Sequence, residues 1–297
     1  MPASTERREL IEVDDRTRSF TLVGRPDPPG RALVIVLHGS KQTGAVHREF
    51  TGRALDRLAD EGRAVVAYLD GYRGNWNDAR RESSFPARTE DVDDVAFVRA
   101  VVERLATSHG IDIERVLVVG YSNGGQMAYR LLHEAPELAA GAVVAAATMP
   151  DAAGFTAGFS PTAGRPAPIA IVAGTSDRIV PYDGGRMAWW ARKLFAVDGT
   201  ALSAVESAEY FAARNGIRTA PALSGIPSAD GRTSRVAMER ADYGQPGAPT
   251  VTLVTVRGGG HTVPAEKAAP AVLGRTGRDL TIDRLTEEVL DRLPPTA

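Results

Sequence analysis

Six short and almost unbroken apolar runs punctuate the chain: ALVIVLH (32–38), RAVVAYL (63–69), RVLVVG (115–120), GAVVAAAT (141–148), PIAIVAG (168–174) and TVTLVTV (250–256). They show little apolar–polar alternation, so neither face of these segments suits water. Strands of that kind are buried in a mostly parallel sheet covered by helices on both faces. Helical patterns fill the gaps. In DVDDVAFVRAVVERL, Val95, Val98, Val102 and Leu105 share one face, with Asp91, Asp93 and Asp94 as acidic caps at its start. A last stripe, Ile282, Leu285, Val289 and Leu293, ends at Pro294. Alternation of strand and helix over the whole length predicts one α/β domain with a doubly wound sheet. RSFTLV alternates, which suits an edge strand, and SRVAMERADY reads as a further strand. The stretch 184–235 is long for a simple crossover and is expected to form a cap or an excursion.

Composition narrows the chemistry. The formal net charge of −2 gives no electrostatic case for nucleic acid or an anionic membrane surface. With no cysteine, disulfides, thiolate metal sites and a cysteine nucleophile are excluded. The histidines show no metal-ligand spacing. The charged N-terminus lacks an apolar core of the signal-peptide type and no run is long enough to span a bilayer, so the expected location is cytoplasmic.

The run 115–120 leads directly into GYSNGG (120–125) and then the helical QMAYRLLHEA. A serine between a strand and a helix, with Gly120 and Gly124 two residues to either side, suits a strained turn that projects its hydroxyl. The helix start behind it favours developing negative charge. The competing reading is a glycine-rich turn with Ser122 as an ordinary helix cap. Gly125 is expected to let the helix start pack tightly.

A nucleophile needs a base and an acid. Five histidines exist: His38, His47, His109, His133 and His261. His47, His109 and His133 fall in helical stretches and read as surface or capping residues. His261 follows the last apolar run in RGGGHTVP, where three glycines leave a loop free to aim an imidazole. Asp177, in GTSDRIVP, follows the run 168–174 and so sits at the carboxyl edge of the sheet, where open α/β folds place their sites. Asp183 and Asp151 compete with it. The order Ser122, Asp177, His261 is that of the α/β-hydrolase triad. A tetrahedral intermediate needs preorganised N–H donors. The amides of Asn123 and of Ser40, in LHGS after the first run, are the candidates; His38 is then a structural residue of that loop.

LHGS, YLDGYRGNWND, DVDDVAFVRAVVERL, GYSNGGQMAYRLL, GTSDRIVPYDGG and GGGHTVP, in this order, resemble polyhydroxybutyrate depolymerase-like and feruloyl esterase-like serine esterases, over roughly residues 31 to 293. The resemblance implies an α/β-hydrolase fold and ester hydrolysis through an acyl-enzyme, without a cofactor or a metal. It makes Ser122 the nucleophile, His261 the base, Asp177 its partner, and Ser40 and Asn123 the oxyanion donors. Trp76 and Asn77 match a W-N element placed near the acyl or leaving-group pocket, although an indole packing a loop onto the core fits equally. With Tyr121 and Val263 they are the expected substrate contacts. Relatives often carry an aromatic at the position of Val263 and are often secreted with disulfides. This chain departs from them on both points, which argues for a small soluble or oligomeric ester rather than an extracellular polymer. Acyl transfer and amide hydrolysis would use the same triad. A non-catalytic binding protein on the same scaffold is the reading from another class.

Overall fold

A computed structural model describes residues 5–26, 28–156, 164–195, 197–228 and 236–293. Its strands are β1 (Thr5–Val13), β2 (Arg16–Gly24), β3 (Ala32–Leu37), β4 (Ala64–Leu69), β5 (Val116–Tyr121), β6 (Gly141–Ala145), β7 (Ile169–Gly174), β8 (Gly185–Arg186), β9 (Thr200–Ala201), β10 (Ala222–Ile226), β11 (Ala237–Tyr243) and β12 (Val251–Arg257). Its α-helices are α1 (Gly44–Phe50), α2 (Asp56–Asp60), α3 (Pro86–Thr89), α4 (Asp94–His109), α5 (Asn123–Glu134), α6 (Trp189–Phe195), α7 (Ala204–Arg214) and α8 (Ile282–Leu290).

Among the described residues ten strands form one sheet, in the order β1-β2-β4-β3-β5-β6-β7-β12-β11-β10. The six apolar runs form its parallel centre, β4-β3-β5-β6-β7-β12. Along β3, Leu33, Ile35 and Leu37 enter one apolar layer and Val34 and Val36 the other. The first layer takes in the buried faces of α4, α5 and α7. The second takes in those of α2 and α8. This two-sided burial is why the runs carry no polar alternation.

Antiparallel strands flank this centre, and here the outcome differs from the sequence reading. RSFTLV lies in β2, which is not an edge: it pairs with β4 on one side and β1 on the other. The edge is β1, TERRELIEV, whose charged side chains are largely exposed. At the other end β11 lies within SRVAMERADY as expected, and β10, from the stretch expected to form a cap or an excursion, pairs with it as the outer strand. The last helix stops at Leu290, and Leu293 still packs in the core; Pro294 lies outside the described residues.

The stretch 184–235 is not one unit. Helix α7 belongs to the body, with Ala204, Ala208 and Phe211 in the first apolar layer. Strand β10 belongs to the sheet. The part that leaves the body is β8–α6–β9, closed by antiparallel pairing of Gly185 with Ala201 and of Arg186 with Thr200. It is tied down through bridges from Val197 to Ser83 and from Ala201 to Pro150. Among the described residues no helix is long and apolar enough to cross a membrane.

Candidate active site

Strand β5 ends at Tyr121 and α5 begins at Asn123, so one residue makes the whole turn. That residue, Ser122, has φ 52° and ψ −114°, outside the regions L-residues favour. Its backbone is held on both sides: its N–H donates to Ala145 O at 2.9 Å, and its carbonyl accepts from Gln126 N–H at 3.0 Å. The flanking glycines are obligatory. A Cβ at Gly120 would sit 2.4 Å from Gly124 O, and one at Gly124 would sit 2.1 Å from Leu37 O. Ser122 makes no side-chain cap bond to α5, so its hydroxyl is free of the ordinary role that a turn serine would have.

The hydroxyl instead faces His261, with Oγ and Nε2 2.9 Å apart. On the other side of the ring Nδ1 lies 2.7 Å from Asp177 Oδ2. A carboxylate there accepts, so Nδ1 carries the proton and Nε2 is left to accept from Ser122. The second carboxylate oxygen of Asp177 accepts from the amides of Ile179 at 2.7 Å and Val180 at 2.9 Å. The acid and base loops are stitched together. Ser176 N–H donates to Gly259 O at 2.8 Å, and Gly258 N–H donates to Thr175 Oγ1 at 2.9 Å. The competitor Asp151 is a turn residue that caps the amides of Ala153 and Gly154, and no hydrogen bond joins Asp183 to His261 among the described residues.

Two amides are available near Ser122. That of Asn123 is the first N–H of α5, one of the group that an α-helix leaves without an internal partner. That of Ser40 has no partner among the described residues, whereas its neighbours are engaged: Gly39 N–H with Gln42 Oε1 at 3.2 Å and Lys41 N–H with Gly74 O at 2.7 Å. Ser40 and Ser122 line the same pocket.

The remaining predicted contacts do not meet that pocket. Trp76 is fully buried; its Nε1–H donates to His38 O at 2.9 Å, and its backbone N–H donates to Asn123 Oδ1 at 2.9 Å. Asn77 is buried too, its N–H on Asp94 Oδ2 at 2.7 Å and its Nδ2–H on Val92 O at 3.0 Å. Both act as struts: their backbone N–H groups, the Trp76 indole and the Asn77 Nδ2–H are all bonded within the protein, although Asn77 Oδ1 is buried without a partner among the described residues. Tyr121 is buried with its hydroxyl donating to His261 O at 2.9 Å, and Val263 lies in the second apolar layer. None of the four lines the pocket beside Ser122.

The acidic pair before α4 divides its work. Asp93 caps the helix, accepting from Ala96 N–H at 2.8 Å. Asp94 is buried against Arg18 at 2.7 Å, and burial pushes its carboxyl above the usual carboxylate range. The three helical histidines also need correction, whereas His38 does not. It is the expected structural residue, accepting Gly71 N–H at Nε2 (2.8 Å) and facing Gly39 O through Nδ1 (2.7 Å). Burial lowers its pKa to about 4. His47 and His109 are buried rather than surface residues, and His133 is held between Tyr129 O and the Tyr210 hydroxyl. Burial lowers His47 to about 3 and His133 to about 4.

Sequence reading missed the pocket wall. Phe85, Ala147, Ile179, Val180, Met187 and Phe195 surround a space of about 320 Å³ beside Ser122. A second space of about 470 Å³ continues from it, sharing Arg80, Gln126, Val180 and Met187. Only Gln126 carried a signal, since it stands one helical turn after Ser122.

A serine on a strained strand–helix turn, joined to histidine and aspartate at the carboxyl edge of a parallel sheet, has the geometry of an α/β hydrolase. Comparison with known proteins agrees: the model of the alpha/beta hydrolase family matches residues 34–275, and the chain belongs to that family. It is similar to "Putative esterase NocK" of Nocardia uniformis subsp. tsuyamanensis, 31% identical over 290 residues, covering 94% of this chain and 80% of that protein. A shorter match, 31% identical over 122 residues, covers 41% of this chain and 22% of feruloyl esterase B of Piromyces equi. Among solved structures, an acetyl xylan esterase from Aspergillus awamori shares the fold with TM-score 0.58 and 15% identity, over 88% of this chain and 96% of that one.

Proposed function

We propose that this chain is a serine carboxylic ester hydrolase acting through an acyl-enzyme. The carrying observation is the relay from Ser122 Oγ through His261 to Asp177, at 2.9 and 2.7 Å, on a serine held at positive φ. Ser122 Oγ attacks the ester carbonyl while His261 Nε2 takes its proton; Asp177 keeps the imidazole in the right tautomer and stabilises the imidazolium. The amides of Ser40 and Asn123 receive the oxyanion. The alcohol leaves with the proton from His261. Water then repeats the sequence on the acyl-enzyme, releasing the acid and free Ser122.

The pocket beside Ser122 is small and of mixed character, with Phe85, Ile179, Met187 and Phe195 facing Ser40, Arg80 and Gln126, which suits short to medium acyl groups, hydroxyalkanoates or a hydroxycinnamoyl group. The names of two relatives, "Putative esterase NocK" and feruloyl esterase B, support ester hydrolysis, and the second is in keeping with a hydroxycinnamoyl ester. The partner is a small or oligomeric ester, in the cytoplasm. The test is Ser122→Ala: turnover of p-nitrophenyl butyrate and labelling by a fluorophosphonate probe both vanish while the melting temperature stays at the wild-type value. Turnover retained by the variant sinks the proposal.

A further inference from the structure

The larger pocket contains an unmet hydrogen-bonding demand. Gln126 stands where the two pockets meet, and its Nε2–H donates to Thr148 O at 2.7 Å. A carbonyl only accepts, so that bond fixes which end of the amide faces it. The other end, Oε1, is buried without a partner, and so is Thr148 Oγ1. Gln126 is 6% and Thr148 1% exposed, and both line the larger pocket. Buried polar atoms without partners are rare and costly to leave so. Here an obligatory acceptor and a group that can donate belong to two residues that line the same pocket.

We propose that Gln126 and Thr148 form a recognition site for one neutral hydroxyl group carried by the acyl part of the substrate; the inference rests on the esterase reading above. A hydroxyl donates its proton to Gln126 Oε1 and accepts one from Thr148 Oγ–H, which satisfies both atoms at once. Charge favours a neutral ligand over an ion. Of the three charged side chains that line this pocket, Arg80 is paired with Asp78 and Asp198 with Arg186 and Arg192; the third, Glu82, makes no ion pair among the described residues and disfavours an anion. The acyl side is indicated because neither pocket is lined by His261, the group that must hand a proton to the departing alcohol. The site is held from behind: Met149 N–H donates to Ser207 Oγ at 3.0 Å, and Leu202 N–H donates to Met149 O at 2.8 Å, tying the loop that carries Thr148 to the start of α7.

The test uses two matched pairs of esters, ethyl hexanoate with ethyl 6-hydroxyhexanoate and methyl 3-phenylpropanoate with methyl 3-(4-hydroxyphenyl)propanoate, on the wild type and Thr148→Val. The wild type should prefer the hydroxylated member of at least one pair by about tenfold in kcat/KM, the equivalent of one hydrogen bond. Thr148→Val should erase that preference, so that the ratio of kcat/KM between the members of the preferred pair falls from about ten to about one. Its melting temperature should not fall, because the lost hydroxyl bonds nothing in the protein. No preference in either pair, or a preference that survives Thr148→Val, overturns the site while leaving the esterase reading standing. A fall in melting temperature shows a structural hydroxyl and overturns it too. Absence of turnover on all four esters removes the esterase reading and this inference with it.

Discussion

Asn123 and Trp76 are joined through the backbone of one and the side chain of the other: Asn123 Oδ1 accepts Trp76 N–H at 2.9 Å. Asn123 Nδ2 also donates to Asp78 Oδ2. The residue whose amide we propose as one oxyanion donor is therefore anchored to the same loop whose indole holds His38 O, close in the chain to the other proposed donor, the Ser40 amide. Loop 75–78 therefore couples the start of α5 to the loop that carries Ser40.

If Trp76 is such a strut, Trp76→Phe keeps most of the ring packing but leaves His38 O without its donor. The expected cost is about 1–3 kcal/mol of stability, with a lower kcat. The order of preference among acyl chain lengths should be unchanged, which a p-nitrophenyl ester series measures. A reordered preference would put Trp76 back in the substrate wall.

Asp177→Asn should fold, because its Oδ1 position still accepts from Ile179 and Val180. It can no longer hold the Nδ1–H tautomer of His261. A loss in kcat of roughly a thousand-fold or more is expected, measured against an unchanged circular dichroism spectrum.

Tyr121→Phe removes the hydroxyl that holds His261 O at 2.9 Å. The ring stays in place under the imidazole, with centroids 5.3 Å apart. Loss of one such bond is worth about 1 kcal/mol, so kcat should fall about fivefold with KM little changed.

Gly125→Val places a Cβ 2.8 Å from Ala147 Cβ and 2.9 Å from Val144 Cγ1. Those partners sit on β6 and the loop after it and have little room to move. Overpacking of this kind costs about 1–3 kcal/mol, and the displaced loop carries the pocket residue Ala147. Chemical denaturation and esterase assay should fall together.

Stability should decline on acidification well before the carboxylates titrate. Burial holds His38 and His133 near pKa 4 and His47 near 3, all below the ordinary 6.5. Between those values and 6.5 the unfolded chain binds protons that the folded chain refuses, so stability is full above pH 6.5 and lost as pH falls. Each histidine contributes a slope of about 1.4 kcal/mol per pH unit within its window. His133→Gln should flatten the melting-temperature profile between pH 4 and 6.5; an unchanged profile would show that His133 protonates without cost.

The parallel centre of the sheet was legible because total burial leaves an unmistakable mark: runs such as ALVIVL have no polar position to spare. The outer strands were not. TERRELIEV is largely exposed on its edge, so nothing in its composition distinguishes it from a charged tail, and ALSGI of β10 is exposed at every position but its last. Pairing with β2 and β11 makes them strands, and pairing is not written in the residues of one partner. The buried histidines were missed for a related reason: a helical position tells which neighbours share a face, not how much of the sheet covers that face.

The same division runs through the site. Local sequence determined the elbow, because only glycine at 120 and 124 lets a strand and a helix close around one serine, and it placed Asp177 and His261 after strands whose ends share one edge. What faces that elbow was decided by the tertiary fold. Trp76 and Asn77 have the chemistry of a ligand wall, yet they became struts because loop 75–78 is bonded to α5 through Asn123 and Arg130, and the buried backbone groups there take their partners from the protein. Phe85, Met187 and Phe195, far apart in the chain and without any motif, became the wall because chain packing brought them to Ser122.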